Sequence, residues 1–138
     1  MAYYNKIGLL ILNNDASKFL VCEKYPEFVT SDYIMPGGQI DEESEIDVLK
    51  GEIKEELDCD IDLSSLKYIG EYLDIASGRP DRDVSIKLYQ GKIIGTPTPS
   101  AEIYDIHWIG KKDKNNSKVS LIIKNKIIPD LIKKEILK

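Results

Sequence analysis

"GGQIDEESEIDVLKGEIKEELDC", residues Gly37 to Cys59, joins a paired glycine to the densest run of acid in the chain. Within it Ile46, Leu49, Ile53 and Leu57 recur at steps of three and four residues, the spacing that gathers side chains on one helix face. Ser44 followed by Asp47 resembles a capping box, and the acid between Asp41 and Glu45 suits the positive end of a helix dipole. A helix from about Ser44 to Leu57 is therefore predicted, ending at Asp58, a residue type that tolerates positive φ. At ~100° per residue Glu45, Glu52 and Glu56 fall along the edge of the apolar stripe, with Glu55 roughly 60° from Glu52. Carboxylates crowded at that margin repel one another unless a cation offsets them, and hard oxygen donors suit Mg²⁺ or Mn²⁺. Such a cation keeps several waters and accepts phosphate oxygens, so a phosphate-ester or pyrophosphate site is one reading. A solvated Glu/Lys helix face is the other.

Upstream, Ile7 to Leu12 and Phe19 to Cys22 are apolar runs separated by Asn13, Asn14 and Asp15, which are turn formers, and together they predict a β-hairpin. Pro36, Gly37 and Gly38 mark a place where the chain turns sharply or lets its backbone approach something closely, after a short strand. Downstream, strands are predicted at Tyr68 to Leu73, Val84 to Gln90 and Ile103 to Ile109, with "SGRPDRD" and "IGTPTPS" as links and "KKDKNNSK" as a solvated loop. The last twenty residues read as a helix interrupted or restarted at Pro129, with Leu131, Ile132 and Ile136 on its apolar side.

The whole chain narrows the options. Its 138 residues suit one domain spanning 1–138. A net charge of -5 argues against general nucleic-acid binding through a basic surface, although a local lysine patch is compatible with a phosphorylated small molecule. Cys22 and Cys59 form no CxxC pair and read as core residues in a reducing compartment. No apolar run approaches the roughly 20 residues of a membrane span, and the N-terminal stretch lacks a signal-peptide cleavage pattern, so a cytoplasmic protein without membrane attachment is expected.

The stretch from Gly37 to Cys59 resembles the Nudix box, in which Gly, Glu, Arg-Glu, an aliphatic residue and Glu-Glu follow at fixed spacing. Gly37, Glu43, Glu52, Ile53, Glu55 and Glu56 stand at matching positions, while Gly51 replaces the arginine and Asp58 the closing glycine. "SAEIYDIHWI" resembles the strand with an acid and a tryptophan found downstream in many members. The resemblance implies an α/β fold, a Nudix-like α/β/α sandwich whose mixed β-sheet lies between the box helix and the C-terminal helical segment. It implies Mg²⁺-dependent (or Mn²⁺-dependent) hydrolysis of a nucleoside diphosphate linked to another group, X, at a site between Pro36 and Glu56. Glu52, Glu55 and Glu56 would be the metal ligands, Glu102 or a box glutamate the base, and Gly37 and Gly38 the points of close backbone approach.

In the family the arginine braces a catalytic glutamate, so Gly51 raises an alternative: a nucleotide-binding or regulatory module with weak or no turnover. The only arginines, Arg79 and Arg82, are candidates to replace the brace if their loop folds over the site. His107, the single histidine, reads as a packing residue more than a catalytic one. Trp108, Tyr33 and Tyr72 are core residues or platforms for a nucleobase. Many relatives dimerise, so a homodimer is compatible with the resemblance. The nature of X is not written in the sequence.

Overall fold

The computed structural model describes residues 2–26, 32–41, 44–76 and 78–138. Glu42 and Glu43, the latter the first acid of the box pattern, lie outside the described residues, as does the stretch 27–31. Among the described residues six strands and two α-helices follow in the order β1 (Tyr4–Leu10), β2 (Phe19–Lys24), β3 (Gly37–Gln39), α1 (Glu45–Leu57), β4 (Asp60–Ala76), β5 (Arg79–Ile94), β6 (Ile103–Ile109) and α2 (Ile128–Lys133).

β1 lies inside a four-stranded sheet of order β3-β1-β5-β4, antiparallel to β3 and parallel to β5, while β4 and β5 are antiparallel. β2 and β6 form a separate antiparallel pair. The predicted hairpin is thus only half realised. Its turn closes, with Asn13 N–H donating to Lys18 O at 2.9 Å and Leu20 N–H to Ile11 O at 3.0 Å. Beyond it the strands part, because β3 and β5 already occupy both edges of β1 and β2 must find its partner in β6.

The apolar run in β1 is continuous because the strand is covered on both faces. Ile7, Leu9 and Ile11 join Leu20, Cys22, Val48, Leu49, Ile53 and Leu57 in the core under α1. Leu10 belongs to the other core, with Phe19, Val21, Ile86, Leu88 and the C-terminal Ile123, Ile127, Ile128 and Leu131. A mixed sheet between two helical layers results, as the resemblance implies.

α1 has the predicted limits. Ser44 Oγ accepts from Asp47 N–H at 3.1 Å, and Asp58 ends the helix in the left-handed region at φ 54°. Its buried face is set by Val48, Leu49, Ile53 and Leu57, whereas Ile46 is only half-buried. Gly51 is exposed, and a Cβ added there meets no atom within 4 Å. A Gly51→Ala chain is accordingly expected to be about 1 kcal/mol more stable, from helix propensity alone. A denaturant midpoint unchanged or lowered relative to wild type would contradict that.

β4 and β5 are longer than predicted while β6 has the predicted limits, and "SGRPDRD" contributes mostly to β5, with the turn near Gly78 at φ 71°. Its turn-forming composition is absorbed by a register irregularity between Ile75 and Ala76. Lys111–Asn115 forms a short 3-10 turn in place of a loop, with Gly110 N–H held by the Asp113 carboxylate at 2.9 Å. Pro129 does restart the C-terminal helix: a π-helical turn, Ile123–Ile127, precedes α2, where a proline lacking N–H is accommodated at the first turn. Cys22 and Cys59 are buried and free. Among the described residues no helix is long and apolar enough to cross a membrane.

Candidate active site

The paired glycines decide how close α1 can come to the sheet. Gly37 opposes Gly8 and Gly38 opposes Ile7 in the β1–β3 ladder, so both belong to a short strand rather than a free turn. Gly37 has φ 146°, and a Cβ there would lie 2.0 Å from Ile7 O. At Gly38 a Cβ would lie 2.5 Å from Glu52 Cδ. The absent side chains leave the space into which the helix projects its carboxylates, the close approach the sequence leads one to expect.

Glu56 does not lie at an exposed margin. It is 4% exposed, covered because α1 packs against a strand with no side chains of its own at Gly37 and Gly38. Gly37 N–H donates to Glu56 Oε1 at 2.9 Å, a contact that orients the carboxylate. Burial nonetheless pushes the Glu56 pKa up to about 8, opposed by the Gly37 bond and Lys24 and reinforced by the charges of Glu52 and Glu102. Burial also raises Glu52, with Glu55 the next cause.

Glu52, Glu56 and Glu102 line one hollow of about 240 Å³. Glu102 comes from the loop before β6, where Tyr25 N–H donates to its carbonyl at 3.1 Å and ties the end of β2 to it. Glu55 is exposed on α1 and does not line this hollow, although its charge reaches Glu52. Glu45, on the predicted acidic edge, pairs instead with Lys87 at 2.6 Å.

Two lysines escaped the sequence reading. Lys6 of β1 and Lys24 of β2 line the same hollow, and Lys24 Nζ lies 3.7 Å from Glu102 Oε2. A partial signal was present: Lys24 shares strand parity with Leu20 and Cys22, which face α1. The arginines do not supply the brace. Arg82 donates to Tyr4 Oη at 2.8 Å and stacks over the Tyr3 ring at 4.3 Å, and neither arginine lines the hollow.

His107 stacks on Tyr33 with ring centroids 4.2 Å apart and places Nε2 2.8 Å from Glu23 Oε1. It packs away from the acids. Tyr72 is buried and donates to Asp130, whereas Trp108 is partly exposed on β6.

Among the described residues no three acidic, histidine or cysteine side chains already converge on a single metal position. The donor chemistry still suits Mg²⁺, which is commonly held by one or two carboxylates and completes its shell with water and substrate phosphate. Glu52 and Glu56 on one wall of a hollow fit that pattern, with a cradle at Gly38 that any Cβ would fill.

No protein-family model matches the chain, and no curated protein matches it in sequence. Solved structures do match in fold. A MutT protein from Methanosarcina mazei Go1 is 14% identical with a TM-score of 0.75, over 97% of this chain and 96% of that one. A Nudix hydrolase from Nitrosomonas europaea is 14% identical with a TM-score of 0.67, over 96% of this chain and 87% of that one. An ADP-ribose pyrophosphatase from Streptococcus suis is 15% identical with a TM-score of 0.63, over 96% of this chain and 91% of that one. The chain therefore has the fold of the Nudix hydrolases.

Proposed function

We propose that this chain is a Nudix-type hydrolase that cleaves a phosphoric anhydride bond in a nucleoside diphosphate linked to another group, X, with Mg²⁺ or Mn²⁺ as cofactor. The observation that carries the proposal is the hollow itself: three carboxylates, Glu52, Glu56 and Glu102, share it with two ammonium groups, Lys6 and Lys24. Such a mixture suits an anion that arrives with a divalent cation better than it suits either alone.

When bound, the cation neutralises the diphosphate and lowers the pKa of a water. Glu52 and Glu56 would hold it, with Glu55 adding negative potential from the exposed side. Gly37 N–H keeps Glu56 oriented through Oε1, so the second oxygen stays available. Glu102, the one of the three acids that lies on a loop, would take the proton from the attacking water.

The direct test is a screen of ADP-ribose, nucleotide sugars, dinucleoside polyphosphates, deoxynucleoside triphosphates and capped RNA, each with Mg²⁺, Mn²⁺ or a chelator. Metal-dependent release of a phosphorylated product is expected from at least one class. The absence of any turnover across the panel would favour a nucleotide-binding module, the reading that Gly51 motivates. Gly51→Arg refines this. Because Glu56 already has a brace in Gly37 N–H and position 51 faces solvent, the substitution is expected to change kcat by less than about tenfold. A gain of a hundredfold or more would mean that the natural chain lacks positioning.

A further inference from the structure

Lys6 and Lys24 approach the acids from different strands, and their circumstances differ. The Lys24 side chain is mostly buried and paired with Glu102 across 3.7 Å, a close ion pair but longer than a hydrogen bond. Lys6 forms no ion pair among the described residues. Its ammonium lies 5.9 Å above the Tyr4 ring and within the electrostatic reach of Glu52, Glu56 and Glu102. A half-buried ammonium that faces three carboxylates without pairing with one is placed to meet an anion. Both lysines have long flexible stems and rotatable donors, which let one ammonium exchange a carboxylate for a phosphate oxygen without backbone movement.

We infer that Lys6 and Lys24 are built-in counter-cations of the acid hollow, whose charge a divalent ion takes over and which then hold phosphate oxygens of the substrate. The inference rests on the diphosphate reading of the site, but it makes a separate claim about the order of charge exchange. Lys24 beside Glu102, and Lys6 within electrostatic reach of all three acids, each oppose a divalent ion as a like charge and cooperate with the anion. Removing one should therefore move the two affinities in opposite directions, whereas loss of a merely structural lysine would weaken both or neither.

The experiment is isothermal titration calorimetry on wild type, Lys6→Met and Lys24→Met, with Lys6→Gln and Lys24→Gln as second variants should a methionine fail to fold. The probes are Mg²⁺ alone, then a methylene-bridged, non-hydrolysable ADP analogue at saturating Mg²⁺. Mg²⁺ is expected to bind about threefold to tenfold more tightly to each variant, since a like charge has left the site, and the analogue about tenfold more weakly. Unchanged or weaker Mg²⁺ binding, or an unchanged analogue affinity, overturns the inference. Turnover separates the two claims: hydrolysis without these opposed shifts overturns the counter-cation role alone, and opposed shifts without hydrolysis overturn the hydrolase reading alone.

Discussion

Glu56→Gln is expected to remove metal-dependent turnover by more than about a hundredfold while making the metal-free chain more stable at alkaline pH. The two effects have one cause. Burial raises Glu56 from an ordinary 4.5 to about 8 in the folded chain. Below 4.5 the carboxyl is protonated in both folded and unfolded states, and above 8 it is ionised in both. Between those limits the folded chain keeps a proton that the unfolded chain gives up, so the contribution to stability is full at low pH and lost as pH rises through the window. The total is on the order of 5 kcal/mol. Glutamine stands in for the neutral acid and still accepts from Gly37 N–H, so the variant should show a flatter pH dependence and exceed wild type above 8. Denaturant unfolding in chelator, near pH 4.5 and again above 8, checks it. Equal declines in both chains would mean that Glu56 ionises without cost. Saturating Mg²⁺ should recover the wild-type loss and do little for the variant, since a ligand stabilises only the state that binds it.

What the sequence disclosed and what it withheld divide along the range of the forces involved. The limits of α1 were legible because they rest on local chemistry: Ser44 Oγ against Asp47 N–H, and Asp58 at positive φ. The parting of β1 from β2 was not, because it depends on which strands occupy the edges of β1, and β5 lies some eighty residues away. The burial of Glu56 was missed for a related reason. A helical wheel sets it at the margin of the stripe, but a margin facing ordinary side chains stays wet, whereas this one faces glycine backbone and is covered. Lys6 and Lys24 each look like solvated strand residues until the two sheets bring them to one hollow. Arg82, with Arg79 a candidate cation only if their loop folded over the site, is instead held by Tyr3 and Tyr4.

Substitutions at the adjacent glycines should separate folding from function. Gly37→Val is expected to destabilise by several kcal/mol, enough to leave much of the chain unfolded, because its Cβ would sit 2.0 Å from Ile7 O and 2.8 Å from Gly8 Cα. Backbone at that distance cannot yield without breaking the β1–β3 pairing, and φ 146° is itself strained for any side chain. The same break would withdraw the N–H that holds Glu56. Gly38→Ala meets a different obstacle, the Cγ, Cδ and Oε1 atoms of Glu52, which lie within 2.7 Å of the added Cβ. A flexible side chain can swing aside at small cost in stability, but the carboxylate then leaves the hollow. Gly38→Ala should therefore stay folded, with a midpoint close to wild type, and lose about tenfold or more in both Mg²⁺ affinity and turnover. Circular dichroism melts paired with Mg²⁺ titrations distinguish the two cases. Wild-type Mg²⁺ affinity in folded Gly38→Ala would remove Glu52 from the proposed ligand set, leaving Glu56 and Glu102 as the acids to be tested next.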